Sequence, residues 1–114
     1  KMKNTDWHAF NQETLDALLA DGSNPDAEHE IEHHIASDDF KKLEKAAVDA
    51  FKLGFEVTDA EELVLDDGGQ VFSFDAIIHR KLILEQLNED TDKLLKIAVD
   101  NKVHYDGWGT YFVE

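Results

Sequence analysis

The sequence predicts an α+β fold: a ferredoxin-like, split βαβ arrangement in which two helices cover a four-stranded antiparallel sheet, with an additional N-terminal helix. Three observations predict it. Apolar residues recur at helical spacing in three segments and at period two in four others, in the order α-β-α-β-β-α-β. The string Asp66-Asp67-Gly68-Gly69 is a hairpin signal between two of the strands. The length, 114 residues, suits a single domain over 1–114, and a hydrophobic content of 42% with seven Phe, two Trp and two Tyr can fill its core.

The first helix is predicted over 12–20, where Leu15, Leu18 and Leu19 share a face that Trp7 and Phe10 extend. Asp21-Gly22-Ser23-Asn24-Pro25-Asp26, with the sole Pro of the chain, ends it. Residues 27–35 alternate, with Glu28, Glu30, Glu32 and His34 on one side and His29, Ile31, His33 and Ile35 on the other. Period two means a strand with one buried face, and its wet face is acidic. Ser37 or Asp38 is predicted to cap the second helix, whose stripe is Phe40, Leu43, Ala47, Ala50 and Phe51. Gly54 stands where a left-handed C-terminal residue belongs. One strand is predicted over 55–64, and after the turn another over 71–79, with Phe72, Phe74, Ala76 and Ile78 on one side. The third helix starts between Leu84 and Asn88 and runs to about Lys102, with Leu87, Leu94, Leu95 and Ala98 inward. Residues 103–113 alternate aromatic side chains and break pattern at Gly107 and Gly109, which predicts a bent or bulged last strand. Trp108 and Phe112 are expected in the core, and Tyr105 and Tyr111 on the opposite face.

Charge is the second source of information. There are 26 acidic and 11 basic residues, a net charge of −15. Such a surface repels phosphate, which argues against direct nucleic-acid or anionic-membrane contact and for cations or basic protein segments as partners. No Lys or Arg occurs in 4–40, 53–79 or 103–114, whereas Lys41, Lys42, Lys45, Lys52, Lys93, Lys96 and Lys102 fall on the two core helices. The strands carry Glu28, Glu30, Glu32, Glu56, Asp59, Glu61, Glu62 and Asp75, so the sheet face away from those helices is expected to be acidic. That face is expected to be open or partly covered by the first helix. The expected partner-binding set is Glu28, Glu30, Glu32, Asp75, Tyr105 and Tyr111, suited to Arg- and Lys-rich segments by charge-assisted hydrogen bonds and Arg–aromatic contact. RNA-binding domains of similar topology use this face with the opposite sign. There is no cysteine, no apolar run of membrane-spanning length and no signal-peptide pattern, so a cytoplasmic location and a monomer are expected.

Candidates for chemistry are thin. His29 and His33 lie on one side of a strand but about 13 Å apart, too far for one ion, and His34 points the other way. A histidine site would need His79 or His104 from another strand. No metal or cofactor is therefore expected, and His33 is read as a partly buried, hydrogen-bonded residue with the other histidines at the surface. Paired carboxylates are too common here to be informative, and no phosphate loop, nucleophile elbow or calcium loop is present. Non-enzymatic regulation by protein binding is the leading expectation. The alternatives are a small-molecule- or metal-binding protein or enzyme on the same fold, and a direct RNA binder.

Three strings carry a resemblance. Tyr105-Asp106-Gly107-Trp108-Gly109-Thr110-Tyr111-Phe112 is similar to the C-terminal signature of the regulator of ribonuclease E activity B (RraB) family. The run 21–27 followed by Ile31-Glu32-His33-His34 resembles its first loop and strand, and 43–54 resembles its central helix. His29 stands where a larger apolar or aromatic residue is expected. The resemblance, over about 12–113, implies a ferredoxin-like variant with an extra N-terminal helix. It also implies a bacterial cytoplasmic inhibitor that binds RNase E, notably its basic scaffold region, and alters mRNA decay and degradosome composition. It implies no catalytic residues.

Overall fold

Alternation along one strand organises the molecule. The computed structural model describes residues 6–114; residues 1–5 of the expected 1–114 unit lie outside the described residues. The elements are α1 (Trp7–Ala20), β1 (His29–Ser37), α2 (Phe40–Lys52), β2 (Glu56–Val57), β3 (Glu61–Val64), β4 (Gln70–Arg80), α3 (Leu84–Asn101) and β5 (His104–Gly109). All pairings are antiparallel, in the order β2-β4-β1-β5, with β3 also on β4. In β1 the odd-numbered residues from His29 to Ser37 are buried and the even-numbered ones are half exposed, as the sequence predicts.

The sheet has five strands where four are expected, because the predicted strand over 55–64 is interrupted. Val57 faces Ala76 and Glu61 faces Ser73, so four steps along one chain oppose three along the other. The surplus residue is a bulge, which bends the strand and reverses which side chains face which way.

The helices start and stop for local reasons. Asp6 caps α1 by accepting from the Ala9 N–H, so the helix begins at Trp7, five residues before the predicted start. Asp39 caps α2 through the Lys42 N–H, and Ser37 accepts from the Asp39 N–H. The cap is thus one residue past the expected pair. Gly54, at φ +101°, ends α2 as predicted, and the Phe55 N–H then reaches back to the Ala50 carbonyl.

The buried seam of α2 is Leu43, Ala46 and Ala50. The expected stripe is too wide: Phe51 is 66% exposed, and Phe40 is at the edge, against Phe72. Leu43, Phe55, Phe74 and Leu94 fill the core between α2, α3 and the sheet. Each such side chain contributes roughly 2 kcal/mol by leaving water.

α1 does not cover the opposite sheet face. It packs beside α3 on the same side: Phe10 and Leu18 join Ile31, Leu87 and Trp108, which are inward residues of the sheet and α3. Trp7 lies edge-on to Tyr105. A polar seam runs through this layer. Trp108 Nε1 donates to Asn11 Oδ1 at 2.6 Å, and Asn11 Nδ2 donates to Asn88 and Thr91. Buried Asp90 accepts two hydrogen bonds from Arg80. All three helices therefore lie on one face of the sheet, and no helix of the described residues lies across the other.

Candidate functional site: the open acidic sheet face

With the odd-numbered residues of β1 committed to the core, its even-numbered ones face outward. Cross-strand register then fixes their neighbours. Glu30 sits opposite His79, Glu32 opposite Ile77, and His34 opposite Asp75, while Glu56 of β2 flanks Ile77 from the other side. Ile77 thus lies in a row between two carboxylates. β1, β2, β3 and β5 contain no Lys or Arg, and the Arg80 side chain at the end of β4 turns to Asp90.

The face carries its charge under repulsion. The Glu30 carboxyl is held above the usual carboxylate range, first by hydrogen bonding with Glu32, then by partial burial and the like charges of Glu32 and Glu56; His79 opposes this. Its imidazole Nε2 lies 3.8 Å from Glu30 Oε1. His34 Nδ1 and Asp75 Oδ1 are 2.8 Å apart. The Tyr111 hydroxyl donates to Glu32 Oε2 at 3.0 Å, which holds its own proton more tightly than an ordinary phenol's. The chain past β5 is tied to β1 as well, since the Thr110 hydroxyl donates to the Glu30 carbonyl.

Five of the six residues expected at a binding surface are exposed or half exposed. Glu30, Glu32, Asp75 and Tyr111 come together, and Glu28 sits at the end of the face, lining a shallow groove with His79, Arg80 and Lys81. Tyr105 is the correction. It is buried, with its hydroxyl 2.7 Å from His33 Nδ1. His33 faces Trp108 and Ile35 faces Tyr105, so β5 holds one residue more than β1 across this stretch. The bulge turns Tyr105 and Trp108 to the same side although they are three apart. Gly107 makes it possible: its φ is +91°, and a Cβ there would lie 3.3 Å from the Trp7 ring. Phe112 is also corrected, from core to surface, at 55% exposed.

The histidines divide differently from expectation. His33 is fully buried rather than partly, and burial pushes its imidazole down to about 4, against the opposing charge of Asp90. Its Nε2 has no hydrogen-bond partner among the described residues. His29, expected at the surface, is fully buried as well. Its Nδ1 contacts the Ala27 carbonyl and its Nε2 the Ser23 hydroxyl, which explains how an imidazole fills a place suited to an apolar side chain. Among the described residues no group of three metal-ligating side chains comes together.

Sequence reasoning missed Ile77. The run Ala76-Ile77-Ile78 hides the alternation that puts Ile77 outward, and only the Asp75 and His79 on either side of it give the signal. Chemically, the assembly offers carboxylates around an aliphatic platform. It fits a long cationic side chain, whose stem would lie on Ile77 and whose head would reach Glu32 or Glu56.

A family described as "Regulator of ribonuclease activity B" matches residues 8–110. A protein of that name from Alteromonas mediterranea is 69% identical over 107 residues, 94% of this chain and 81% of the relative. One from Pseudoalteromonas atlantica is 61% identical over 109 residues, 96% of this chain and 93% of the relative. A third, from Aeromonas salmonicida, is 59% identical over 109 residues, 96% and 95% of the two chains. At that identity and coverage, the chain that builds this open acidic face belongs to the regulator of ribonuclease activity B family.

Proposed function

We propose that this chain is a protein inhibitor of RNase E that binds the enzyme's basic scaffold region and thereby modulates mRNA decay in the bacterial cytoplasm. It acts as a single folded domain and by binding, not by catalysis. The observation that carries this reading is the open sheet face, on which Glu30, Glu32, Glu56 and Asp75 surround Ile77 with no lysine or arginine among them. Glu28 and Tyr111 extend it. Carboxylates gathered on one face attract a cationic segment and offer it charge-assisted hydrogen bonds. The names of the relatives supply the class of partner, a ribonuclease. RNA itself is a poor ligand for this face, because its phosphates carry the same sign.

The test is a titration of the full chain against a basic RNase E scaffold fragment at two salt concentrations. Saturable binding that weakens with salt is expected, since exposed charges are screened within about 8 Å at physiological ionic strength. The double variant Glu30→Lys, Glu32→Lys should bind about tenfold or more weakly, roughly 1.4 kcal/mol, with an unchanged circular dichroism spectrum. Unchanged affinity in the folded double variant would remove the face from the interaction. No binding at low salt would remove the partner.

A further inference from the structure

The interruption between β2 and β3 creates a second surface, at the edge of the sheet. β3 pairs with β4 on one side, and among the described residues no strand pairs on its other side. Unpaired edges are normally blunted by lysine, proline or a covering element. This edge is short, charged and set off by a bulge, but it has none of those three: Leu63, Val64 and Leu65 are 55%, 70% and 47% exposed, and no Lys, Arg or Pro occurs in 53–79. The residues around it are uniformly acidic, with Asp59, Glu61, Glu62, Asp66 and Asp67.

At the bulge the chain leaves β4, and the gap is held open by a substitute contact. The Thr58 hydroxyl accepts the Asp75 N–H, and the Thr58 N–H donates to the Asp75 carbonyl. Beside this gap, toward α2, lies a groove of about 300 Å³. Buried Leu43 and Phe74 form its floor with Ala47, Phe40 borders it, and the exposed carboxylates of Glu44 and Asp59 stand at its mouth. An apolar channel with carboxylates at the mouth matches the shape of an Arg or Lys side chain, stem inside and head at the rim, with Phe40 available for a cation–π contact.

We propose that the β2–β3 edge is a docking groove for an extended, basic segment of a partner protein, which adds as a strand beside β3 and seats one Arg or Lys in the groove over α2. Main-chain hydrogen bonds to the free edge supply affinity, and the groove and the acidic flanks select cationic residues. The occupant is a cationic peptide because every charged side chain on this edge is acidic and its exposed apolar residues favour an alternating basic–aliphatic strand. This surface does not depend on the open-face reading, and the two are separated by the choice of probe and variants.

The probe is a ten-residue synthetic peptide of alternating Arg and Val, with two further versions N-methylated on its odd or on its even residues. Titrated into the full chain, the unmodified peptide is expected to bind saturably and to protect the amides of residues 61–64 from hydrogen exchange. One of the two methylated versions should lose binding, because it lacks the N–H groups that face β3, while the other retains it. The exposed-site double variant Glu44→Lys, Asp59→Lys should weaken binding of the unmodified peptide about tenfold or more. Absence of saturable binding overturns the proposal. So does equal binding of all three peptides, which would indicate charge attraction without strand addition. Protection that maps to β1 instead of 61–64, or a loss that follows Glu30 and Glu32 rather than Glu44 and Asp59, would place the peptide on the open face and overturn the edge.

Discussion

His33 and His34 are neighbours in sequence and belong to different environments. His33 points into the helical side of the sheet, fully buried among Phe55, Tyr105 and Trp108, with one ring nitrogen lacking a partner. His34 points outward, with 45% of its side chain exposed, against Asp75. The helical side is buried and, His33 Nε2 apart, its polar groups are satisfied, as in Arg80 with Asp90 or Trp108 with Asn11. The outer side is solvent-facing and carries an excess of carboxylates that its histidines and Tyr111 only partly offset. The difference teaches where each kind of free energy resides: stability comes from the first side, and the capacity to bind comes from the second.

The largest expected effect tests the first half of that contrast. Leu94→Ala removes a side chain that is fully buried between α3 and the sheet. It should cost about 3 kcal/mol, read as a lower urea midpoint with unchanged slope. A loss comparable to that of a surface substitution would mean the helical side is not the stabilising one.

Next comes pH. The buried His33 imidazole titrates near 4, below its ordinary 6.5, so the unfolded chain binds the extra proton between those values. Stability from this group is therefore complete above about pH 6.5 and is lost as pH falls toward 4, by about 3 kcal/mol. Urea denaturation at pH 7 and pH 4.5 should show a smaller drop for His33→Gln than for the parent chain. Parallel losses in the two proteins would assign the acid sensitivity to other groups.

The smallest effect sharpens the other half. Glu32→Gln on the open face should leave stability within about 0.5 kcal/mol of the parent, while it removes a charge and weakens the acceptor for the Tyr111 hydroxyl. A cost as large as that of Leu94→Ala would show that the outer face is part of the scaffold.

What was legible in the sequence follows from the period of each segment. The alternation in 27–35 gave β1 and its two faces, although the depth of His29 and His33 exceeded expectation, because one register of a half-buried strand is compatible with it. Gly54 and the Asp66–Gly69 turn were legible because their backbone conformations favour those residue types. The acidic character of the outer face followed from the same alternation. The two bulges were the limit. One extra residue in β5 moved Tyr105 from the expected surface into the core, and one between β2 and β3 split a predicted strand and opened an edge. A bulge is set by the pairing of two strands distant in sequence, and neither strand's own pattern states it. Gly107 hinted at one; nothing in 58–60 announced the other. The position of α1 was similarly hidden, because its buried Asn11 is chosen by Trp108, 97 residues away.

That last bond has a bearing on how the molecule is made. Trp7 meets Tyr105, Asn11 meets Trp108, and the Asn24 N–H meets the Val113 carbonyl, so the first described helix and its following loop are fastened by residues far downstream in the chain. A chain emerging from the ribosome can form α2 and its neighbours early. It cannot close the layer under α1 until β5 has been released, and contacts of such long sequence separation are the slow ones in folding. Until then Trp7 and Phe10 lack their Tyr105 and Trp108 neighbours, which leaves aromatic surface exposed in the nascent chain and open to aggregation.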